Sequence, residues 1–207
     1  MNAIDAIFYV AMLVMSVVIH EVSHGYVAEY FGDKTARFAG RLTLNPINHL
    51  DLFGSILLPA LLVISQAPFL IGWAKPVPYN PNNLSDRKWG TVAVASAGVL
   101  ANFAIAIFFG LILRFSEGAN VPAGFNFIIS SIVLVNLSLG IFNLVPIPPL
   151  DGSKILFNLL PASFHQVISF FETYSLVLII AFVFFLSKYL LPILIFLYSL
   201  ITGLPIH

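Results

Sequence analysis

The sequence predicts an all-α polytopic membrane protein with about five to six transmembrane helices, a re-entrant segment and short β or irregular connectors. Hydrophobic residues make up 59% of its 207 residues and charged residues only 9%, which is more apolar than the surface of a soluble domain tolerates. Several apolar runs approach or exceed the ~20 residues needed to cross a bilayer core, and short polar connectors separate them. We therefore expect one integral-membrane domain over residues 1–207, with the lipid bilayer as its main solvent.

Charge and cysteine content exclude several classes of protein. The formal net charge is zero and no long basic or acidic run occurs, which argues against nucleic acid as a partner. Cysteine is absent, so disulfides and thiol catalysis are excluded. The N-terminal segment lacks the basic region and small-residue cleavage site of a signal peptide, so we expect this segment to be retained.

The first two apolar segments differ in character. Residues 6–30 form a long apolar run, which predicts a transmembrane helix, and no Lys or Arg precedes Lys34. By the positive-inside rule, the N-terminus faces outward and the loop after this helix is cytoplasmic. Residues 52–73 contain Pro59 and Pro68, which interrupt a helix, so this segment is predicted to be re-entrant or partial.

The next predicted span contains regularly spaced small residues, and three further apolar elements and one polar stretch are predicted after it. The run at 89–115 carries Ala93, Ala97 and Ala101 at the i, i+4 spacing that permits close helix contact. The later predicted elements are a transmembrane helix at 125–145, a polar interfacial stretch at 152–166, a transmembrane helix at 167–186, and a short transmembrane or interfacial segment at 189–204 that contains Pro192.

A His-Glu-x-x-His pattern, His20-Glu21-Val22-Ser23-His24, lies inside the first predicted span. On a helix this spacing puts both imidazoles on one face about a turn apart, where they can share one metal ion. Glu21 projects beside them, which suits it to take a proton from a water that the metal activates. The alternative is that the histidines only hydrogen-bond neighbours in a packed bundle. Three ionisable groups within five intramembrane residues are costly without a function, which favours the metal site.

A catalytic zinc site uses three protein ligands and leaves one position open, so a third ligand is expected elsewhere. Asp151 is the best candidate, because it follows three prolines in four residues at the end of the 125–145 helix. Prolines forbid a continuing helix, and irregular backbone at membrane depth is tolerated only when it is buried in protein or lines a wet cavity. The alternative role for Asp151 is a turn or helix cap beside Gly152.

Other possible ligands have simpler explanations. His49 lies in a polar connector, where a local hydrogen bond or cap accounts for it, and Asp51 is placed to cap the segment that follows. His165 and His207 lie near predicted membrane interfaces.

Together these motifs resemble the site-two protease family of intramembrane zinc metalloproteases. The resemblance is carried by the His-Glu-Val-Ser-His segment, by SAGVLANF at 96–103 and by NLVPIPPLDG at 143–152. The stretches GRLTLNPINHLDLFG at 40–54 and GWAKPVPYN at 72–80 are similar to the compact bacterial and archaeal members, which lack PDZ or nucleotide-sensing domains. One departure is Val99, where the family usually has Pro after the Ala-Gly pair.

The resemblance covers nearly the whole chain and implies roles for particular residues. His20, His24 and Asp151 are implied to bind one zinc ion per chain, and Glu21 to act as the catalytic acid and base. Asn143 is implied to contribute to substrate or oxyanion binding. A substrate must also be unwound locally, and we expect it to pair with a backbone edge at 42–44 or 73–77.

A shared metal constrains the topology. His24 lies toward the C-terminal end of its helix and Asp151 just beyond the end of the 125–145 helix, so the two helices must run parallel with an odd number of crossings between them. Two apolar segments occupy that interval, which predicts that 52–73 does not span. The site then lies toward the cytoplasmic leaflet of a prokaryotic plasma membrane, and five crossings leave the C-terminus inside.

The predicted function is an intramembrane zinc metalloendopeptidase that cuts within or near transmembrane segments of substrate proteins. Two alternatives belong to other classes. A zinc transporter would also place His and Asp in its spans but would have little use for Glu21. A non-catalytic binder of membrane proteins would have no need for the complete set of glutamate and metal ligands.

Overall fold

The structure is a computed structural model that describes residues 3–57, 61, 64–65, 74–116, 121–122 and 124–205. Within these residues the regular structure is entirely helical, and no strand occurs. The helices are α1 Ala3–Tyr30, α2 Thr35–Phe38, α3 Arg87–Phe115, α4 Phe125–Asn143, α5 Asp151–Leu159, α6 His165–Thr173, α7 Ser175–Ala181 and α8 Leu190–Thr202. Shorter 3-10 turns and two π-helical stretches, Leu52–Leu57 and Phe182–Leu186, join them.

Four helical segments of the described residues are long and apolar enough to cross a membrane: Ile7–Tyr30, Arg87–Phe115, Phe125–Asn143 and Ser175–Thr202. This confirms the predicted all-helical membrane class, with four candidate spans where five to six were expected. The predicted β connectors are absent from the residues described. The predicted re-entrant segment at 52–73 lies largely outside them.

The C-terminal region departs from the predicted boundaries. We expected a span at 167–186 and a separate segment at 189–204, but α6 ends at Thr173, and residues 175–202 form one helical run of 28 residues. The predicted boundary falls on a π-helical stretch and a 3-10 turn, Phe182–Leu186 and Ser187–Tyr189. These local changes of helical pitch do not end the run. Only 6% of its apolar window is buried, which places this helix at the periphery of the bundle.

Helix α3 lies at the centre of the bundle and runs antiparallel to α1. His20 contacts Asn102 while His24, one turn further along α1, contacts Val94, two turns earlier on α3. Helix α4 packs along α3, and α8 closes the far side. Side chains from these three helices form the main apolar core: Ala106, Leu113, Ile129, Val133, Leu137, Ile141 and Tyr198.

Helices α1 and α4 run in the same direction, as the shared-metal argument requires. Asn136 of α4 contacts Ser16 of α1, and Asp151, beyond the end of α4, contacts His20 one turn further along α1. The later residue, Asp151, therefore contacts the later position on α1, as it must if the two helices are parallel.

Local sequence explains where several of the helices begin and end. The side chain of Asp86 accepts a hydrogen bond from the backbone N–H of Trp89 at 2.8 Å and caps the start of α3. Gly203, with φ of +77°, ends α8 in the left-handed conformation that glycine adopts without strain. Beyond Asn143, the prolines of the following loop prevent α4 from continuing.

Candidate metal site

Helix α1 places both imidazoles of the His-Glu-x-x-His segment on one face. The Nε2 atoms of His20 and His24 are 3.0 Å apart, and the rings meet edge to face with centroids 4.6 Å apart. Glu21 is half-buried beside them, with a carboxylate oxygen within 4.8 Å of the histidine nitrogens. Helical spacing alone accounts for this part of the site.

Asp151 reaches the same point from a distant part of the sequence. It is the first residue of α5, and its Oδ2 lies 3.1 Å from Nε2 of His20 and 3.1 Å from Nε2 of His24. A tight turn delivers it there: a Cβ added to Gly152 would lie 2.1 Å from the backbone oxygen of Leu144. Only glycine permits that approach, so the loop folds back on the end of α4 and directs the carboxylate toward α1.

The outer nitrogen of each imidazole faces a group on α3. Nδ1 of His24 lies 2.6 Å from the backbone oxygen of Val94, and a backbone carbonyl can only accept. Nδ1 of His24 therefore carries a proton, and in the neutral imidazole its Nε2 presents a lone pair. Nδ1 of His20 lies 2.6 Å from Oδ1 of Asn102, which is also an acceptor, so His20 has the same tautomer.

With both imidazoles neutral, three acceptors therefore converge on one point: the two Nε2 lone pairs and Oδ2 of Asp151. The three residues are only 4–8% exposed, so water screens their repulsion poorly and a cation between them relieves it. A tetrahedral zinc site with bonds of about 2.0–2.1 Å holds its ligand atoms about 3.3–3.4 Å apart, close to the separations of the three acceptors. Two neutral imidazoles and a carboxylate are also zinc donors, so these residues fit the ion and could hold it.

Gly98 lets α3 pass directly against the imidazoles. A Cβ at this position would lie 2.6 Å from Cε1 of His20 and 2.6 Å from Nε2 of His24. No side chain fits in that space, so glycine here sets how closely the helix packs on the site.

Lys154 lies on the other side of the Asp151 carboxylate. Its Nζ donates to Oδ1 of Asp151 at 3.2 Å, one turn along α5. The ammonium group thus offsets part of the charge that Asp151 brings into a buried place.

The connector before α3 positions Glu21. The backbone N–H of Val77 donates to Oε2 of Glu21 at 2.8 Å. The connector is in turn held by buried Arg41, whose Nη2 donates to the backbone oxygens of Lys75 at 2.6 Å and Pro76 at 3.3 Å. The backbone of Val77 therefore orients Glu21, and the side chain of Arg41 holds the neighbouring backbone in place.

Asp33 ties the same connector to the end of α1. Its buried carboxylate accepts from the backbone N–H of Asn80 at 2.6 Å, from Nδ2 of Asn83 at 2.9 Å and from both the N–H and the hydroxyl of Thr35. Burial acts to raise the pKa of Asp33, but these hydrogen bonds outweigh it and lower that pKa below its usual value.

The remaining sequence candidates lie in other contacts. Asn143 is half-buried, and its Nδ2 donates to the backbone oxygen of Leu139 at 2.9 Å in its own helix. His49 is buried and contacts the backbone oxygen of Thr43 at 2.8 Å, the local hydrogen bond that the sequence suggested. Asp51 accepts from the N–H of Gly54 at 2.6 Å, as a cap does. His165 is exposed, and His207 lies outside the described residues.

Sequence reasoning gave no role to four residues that the structure brings to the site: Gly98, Asn102, Arg41 and Lys154. A signal existed for two of them. An asparagine inside an apolar helix is unusual enough to suggest a partner, and Lys154 lies one turn after Asp151. Gly98 leaves room for the imidazoles of α1, and Arg41 binds the backbone oxygens of residues 75 and 76. Both effects join segments far apart in the sequence, which no local pattern reveals.

Helices of membrane length and a donor set that fits zinc together indicate the class of membrane-embedded zinc proteins. Comparison with known proteins gives the family: the sequence model of Peptidase family M50 matches residues 8–132 and 117–187. The chain belongs to peptidase family M50, the zinc-dependent site-two proteases, which confirms the family and the class of enzyme that the motifs predicted.

Related proteins are found in bacteria and archaea. YwhC of Bacillus subtilis is 39% identical over 191 residues, which cover 89% of this chain and 84% of YwhC. Rip2 of Mycolicibacterium smegmatis is 31% identical over 147 residues, 70% of this chain but only 54% of Rip2. Zinc metalloprotease MJ0392 of Methanocaldococcus jannaschii is 27% identical over 155 residues, 73% of this chain and 35% of that protein. No solved structure matches the chain significantly.

Proposed function

We propose that this protein is an intramembrane zinc metalloendopeptidase that hydrolyses peptide bonds within or near the transmembrane segments of other proteins. One observation carries the proposal: two lone pairs from α1 and one carboxylate oxygen from Asp151 converge at 3.0–3.1 Å inside a bundle of membrane-length helices. Membership of peptidase family M50 supports the reaction class.

In this proposal His20, His24 and Asp151 hold the zinc and Glu21 moves the proton. Zinc, when bound, supplies Lewis acidity that activates water at neutral pH and polarises a carbonyl. Glu21 accepts the proton of the attacking water and passes it to the leaving amine of the substrate. The N–H of Val77 holds the Glu21 carboxylate in place, so that little reorientation is needed before the transfer.

Asn143 is proposed to orient the substrate carbonyl. A side-chain amide has two N–H hydrogens, and the bond to Leu139 uses one of them. The second can donate to a substrate oxygen as charge develops there.

Hydrogen bonds already made within the connector before α3 bear on where an extended substrate would pair. In the 74–77 part of the connector, the N–H of Lys75 donates to His49 and that of Val77 to Glu21, while Pro76 has none. Arg41 already binds the carbonyls of residues 75 and 76. Fewer donors and acceptors are therefore free at 74–77 than at an open edge, and we propose 42–44, the other expected edge, as the place where the substrate strand pairs.

The positive-inside rule supports an inward-facing site. Seven of the nine Lys and Arg residues lie in 31–88 or follow α4 at Lys154, leaving Arg114 at the far end of α3 and Lys188 within the last helical run. We propose that 31–86 and the metal site face the cytoplasm of a prokaryotic cell and that 52–73 enters without crossing. With one crossing after α6, the C-terminal end then lies outside, where the sequence had suggested inside. Cysteine-accessibility mapping that placed Lys75 outside the cell would contradict this topology.

Cleavage of transmembrane substrates by the purified protein in detergent tests the function. We expect wild type to cut members of a panel of single-span substrates and Glu21→Gln to cut about 10²- to 10⁴-fold more slowly, because the general base is lost. Zinc content measured on both proteins is the control, and it should be equal because Glu21 is not assigned as a ligand. Equal cleavage by both would refute the role of Glu21. Zinc flux into vesicles that Glu21→Gln leaves intact, without cleavage by either protein, would indicate a transporter.

A further inference from the structure

Two asparagines are completely buried in the apolar centre of the bundle, next to the metal site. Asn102 of α3 and Asn136 of α4 are both 0% exposed, and Ser16 of α1 is 6% exposed. Amide side chains are expensive in such surroundings unless every polar atom has a partner. The three residues and His20 form one connected chain of hydrogen bonds across three helices.

The direction of this chain is fixed at its far end by a backbone carbonyl. Nδ2 of Asn136 lies 2.9 Å from the backbone oxygen of Ile132, and a carbonyl can only accept. The NH2 group of Asn136 must therefore face Ile132, and it also donates to Oγ of Ser16 at 3.0 Å. Oδ1 of Asn136 is left to face Asn102.

The orientation of Asn136 fixes that of Asn102 and, through it, the tautomer of His20. Oδ1 of Asn136 needs a donor, so Asn102 presents its NH2 group there, at 2.9 Å. Oδ1 of Asn102 then faces Nδ1 of His20, at 2.6 Å. Reversing either amide would set two acceptors or two donors against each other. The proton of His20 is therefore fixed on Nδ1 and the lone pair on Nε2, toward His24 and Asp151.

The two histidines are oriented by different means. His24 uses a backbone carbonyl, that of Val94, which no substitution removes. His20 depends on side chains. Asn102 is in turn held mainly by Asn136, because its other contact, from Nδ2 to the backbone oxygen of Ser16, is long at 3.5 Å. The tautomer of His20 can therefore be altered by single substitutions at residues other than the three candidate ligands.

We propose that Asn102, oriented by Asn136, is a positioning residue that holds His20 in the tautomer able to bind zinc and thereby sets the affinity of the site. The inference rests on the proposed function, since it takes His20 as a zinc ligand. Partners of this kind raise ligand basicity and fix the ring, and their loss typically lowers metal affinity about 10- to 100-fold.

Zinc affinity of the full-length protein in detergent, measured by competition with a chromophoric chelator, tests the proposal. Asn102→Leu keeps the volume but removes the acceptor, and we expect it to weaken zinc binding about 10- to 100-fold. Asn102→Asp keeps an acceptor toward His20 but loses the donor toward Asn136 and buries a charge. It should unfold at lower temperature than wild type yet bind zinc within about threefold of wild type.

Two additional variants keep the test decisive. Thr202→Val is the matched control, because it removes a buried hydroxyl that donates to the backbone oxygen of Tyr198 far from the site, and it should leave zinc affinity unchanged. Asn136→Leu leaves the NH2 group of Asn102 with only the long contact to the backbone oxygen of Ser16. It should weaken zinc binding with Asn102 itself intact, so it serves if neither variant at 102 folds. The electronic spectrum of the cobalt-substituted protein should change in Asn102→Leu and Asn136→Leu but not in Thr202→Val.

The outcomes separate this inference from the proposed function. Zinc affinity unchanged in Asn102→Leu, or reduced equally in Asn102→Leu and Asn102→Asp, would overturn the positioning role and leave the metal site standing. Wild-type protein that binds no zinc, or that binds it equally well without His20, would overturn the proposed function itself.

Discussion

Replacing Gly98 by alanine is predicted to disable the metal site while leaving the bundle folded. The added Cβ would lie 2.6 Å from one atom of each imidazole, whereas ordinary contacts begin at 3.4 Å. Either α3 or the imidazoles must therefore move by at least about 0.8 Å, the difference of those two distances. The acceptors are only 3.0–3.1 Å apart, so a shift of that size changes their geometry by about a quarter.

The expected magnitudes follow from packing and positioning. Overpacking of this kind costs typically about 1–3 kcal/mol of stability. Misplacement of catalytic groups by about 1 Å costs about 10²-fold in rate. We expect Gly98→Ala to lose zinc on dialysis and to cleave a transmembrane substrate about 10²-fold more slowly, measured beside its melting temperature in detergent.

Gly110→Ala is the matched control, because it makes the same change on the same helix. Its Cβ would lie 2.4 Å from Cγ2 of Ile201, an overlap at least as severe but remote from the histidines. It should lower stability comparably and retain zinc. Full zinc content and activity in Gly98→Ala, or equal loss of zinc in both variants, would refute the reasoning.

Three further predictions concern the surroundings of the site. Arg41→Met should slow cleavage with zinc content unchanged, because residues 75–77 would no longer hold Glu21; normal kinetics would show that the connector needs no such support. Asp33→Asn should cost about 1–3 kcal/mol, because an amide replaces a carboxylate that accepts four hydrogen bonds, as chemical or thermal unfolding would measure. Since the folded-state pKa of Asp33 is lowered, its stabilisation is present above its unfolded-state pKa, about 3.9, and is lost as pH falls through the lower folded value. The variant should therefore lose stability less steeply below about pH 4 than wild type does, and parallel acid-unfolding curves would contradict the assignment. Removal of metal by a chelator should abolish cleavage and zinc should restore it, whereas Asp151→Asn should resist restoration at the zinc concentration that suffices for wild type.

The class of protein and half of the candidate site are encoded locally. Apolar runs of membrane length follow from composition, and His20 and His24 share a face because any helix places residues four apart together. Asp151 was found for a similar reason, since prolines break a helix wherever they occur. These features need no knowledge of which segments become neighbours.

The C-terminal helices show the limit of such reasoning. A separate segment was predicted at 189–204, where Pro192 lies, but the chain continues as one helical run with local changes of pitch. Hydropathy measures whether a window can be buried in lipid, and it does not distinguish a helix that ends from one that continues.

The sequence by itself determined a membrane-embedded helical protein with a candidate metal-binding pair of histidines, a glutamate beside them and a candidate third ligand after the prolines. Only the tertiary structure decided that Asp151 meets His20 across 131 residues of sequence, that Gly98 packs against both imidazoles, and that Asn102 and Asn136 fix the proton of His20. The reason is physical: the direction of a hydrogen bond and the space beside a glycine depend on which helices come together, and that choice is made by packing over the whole bundle.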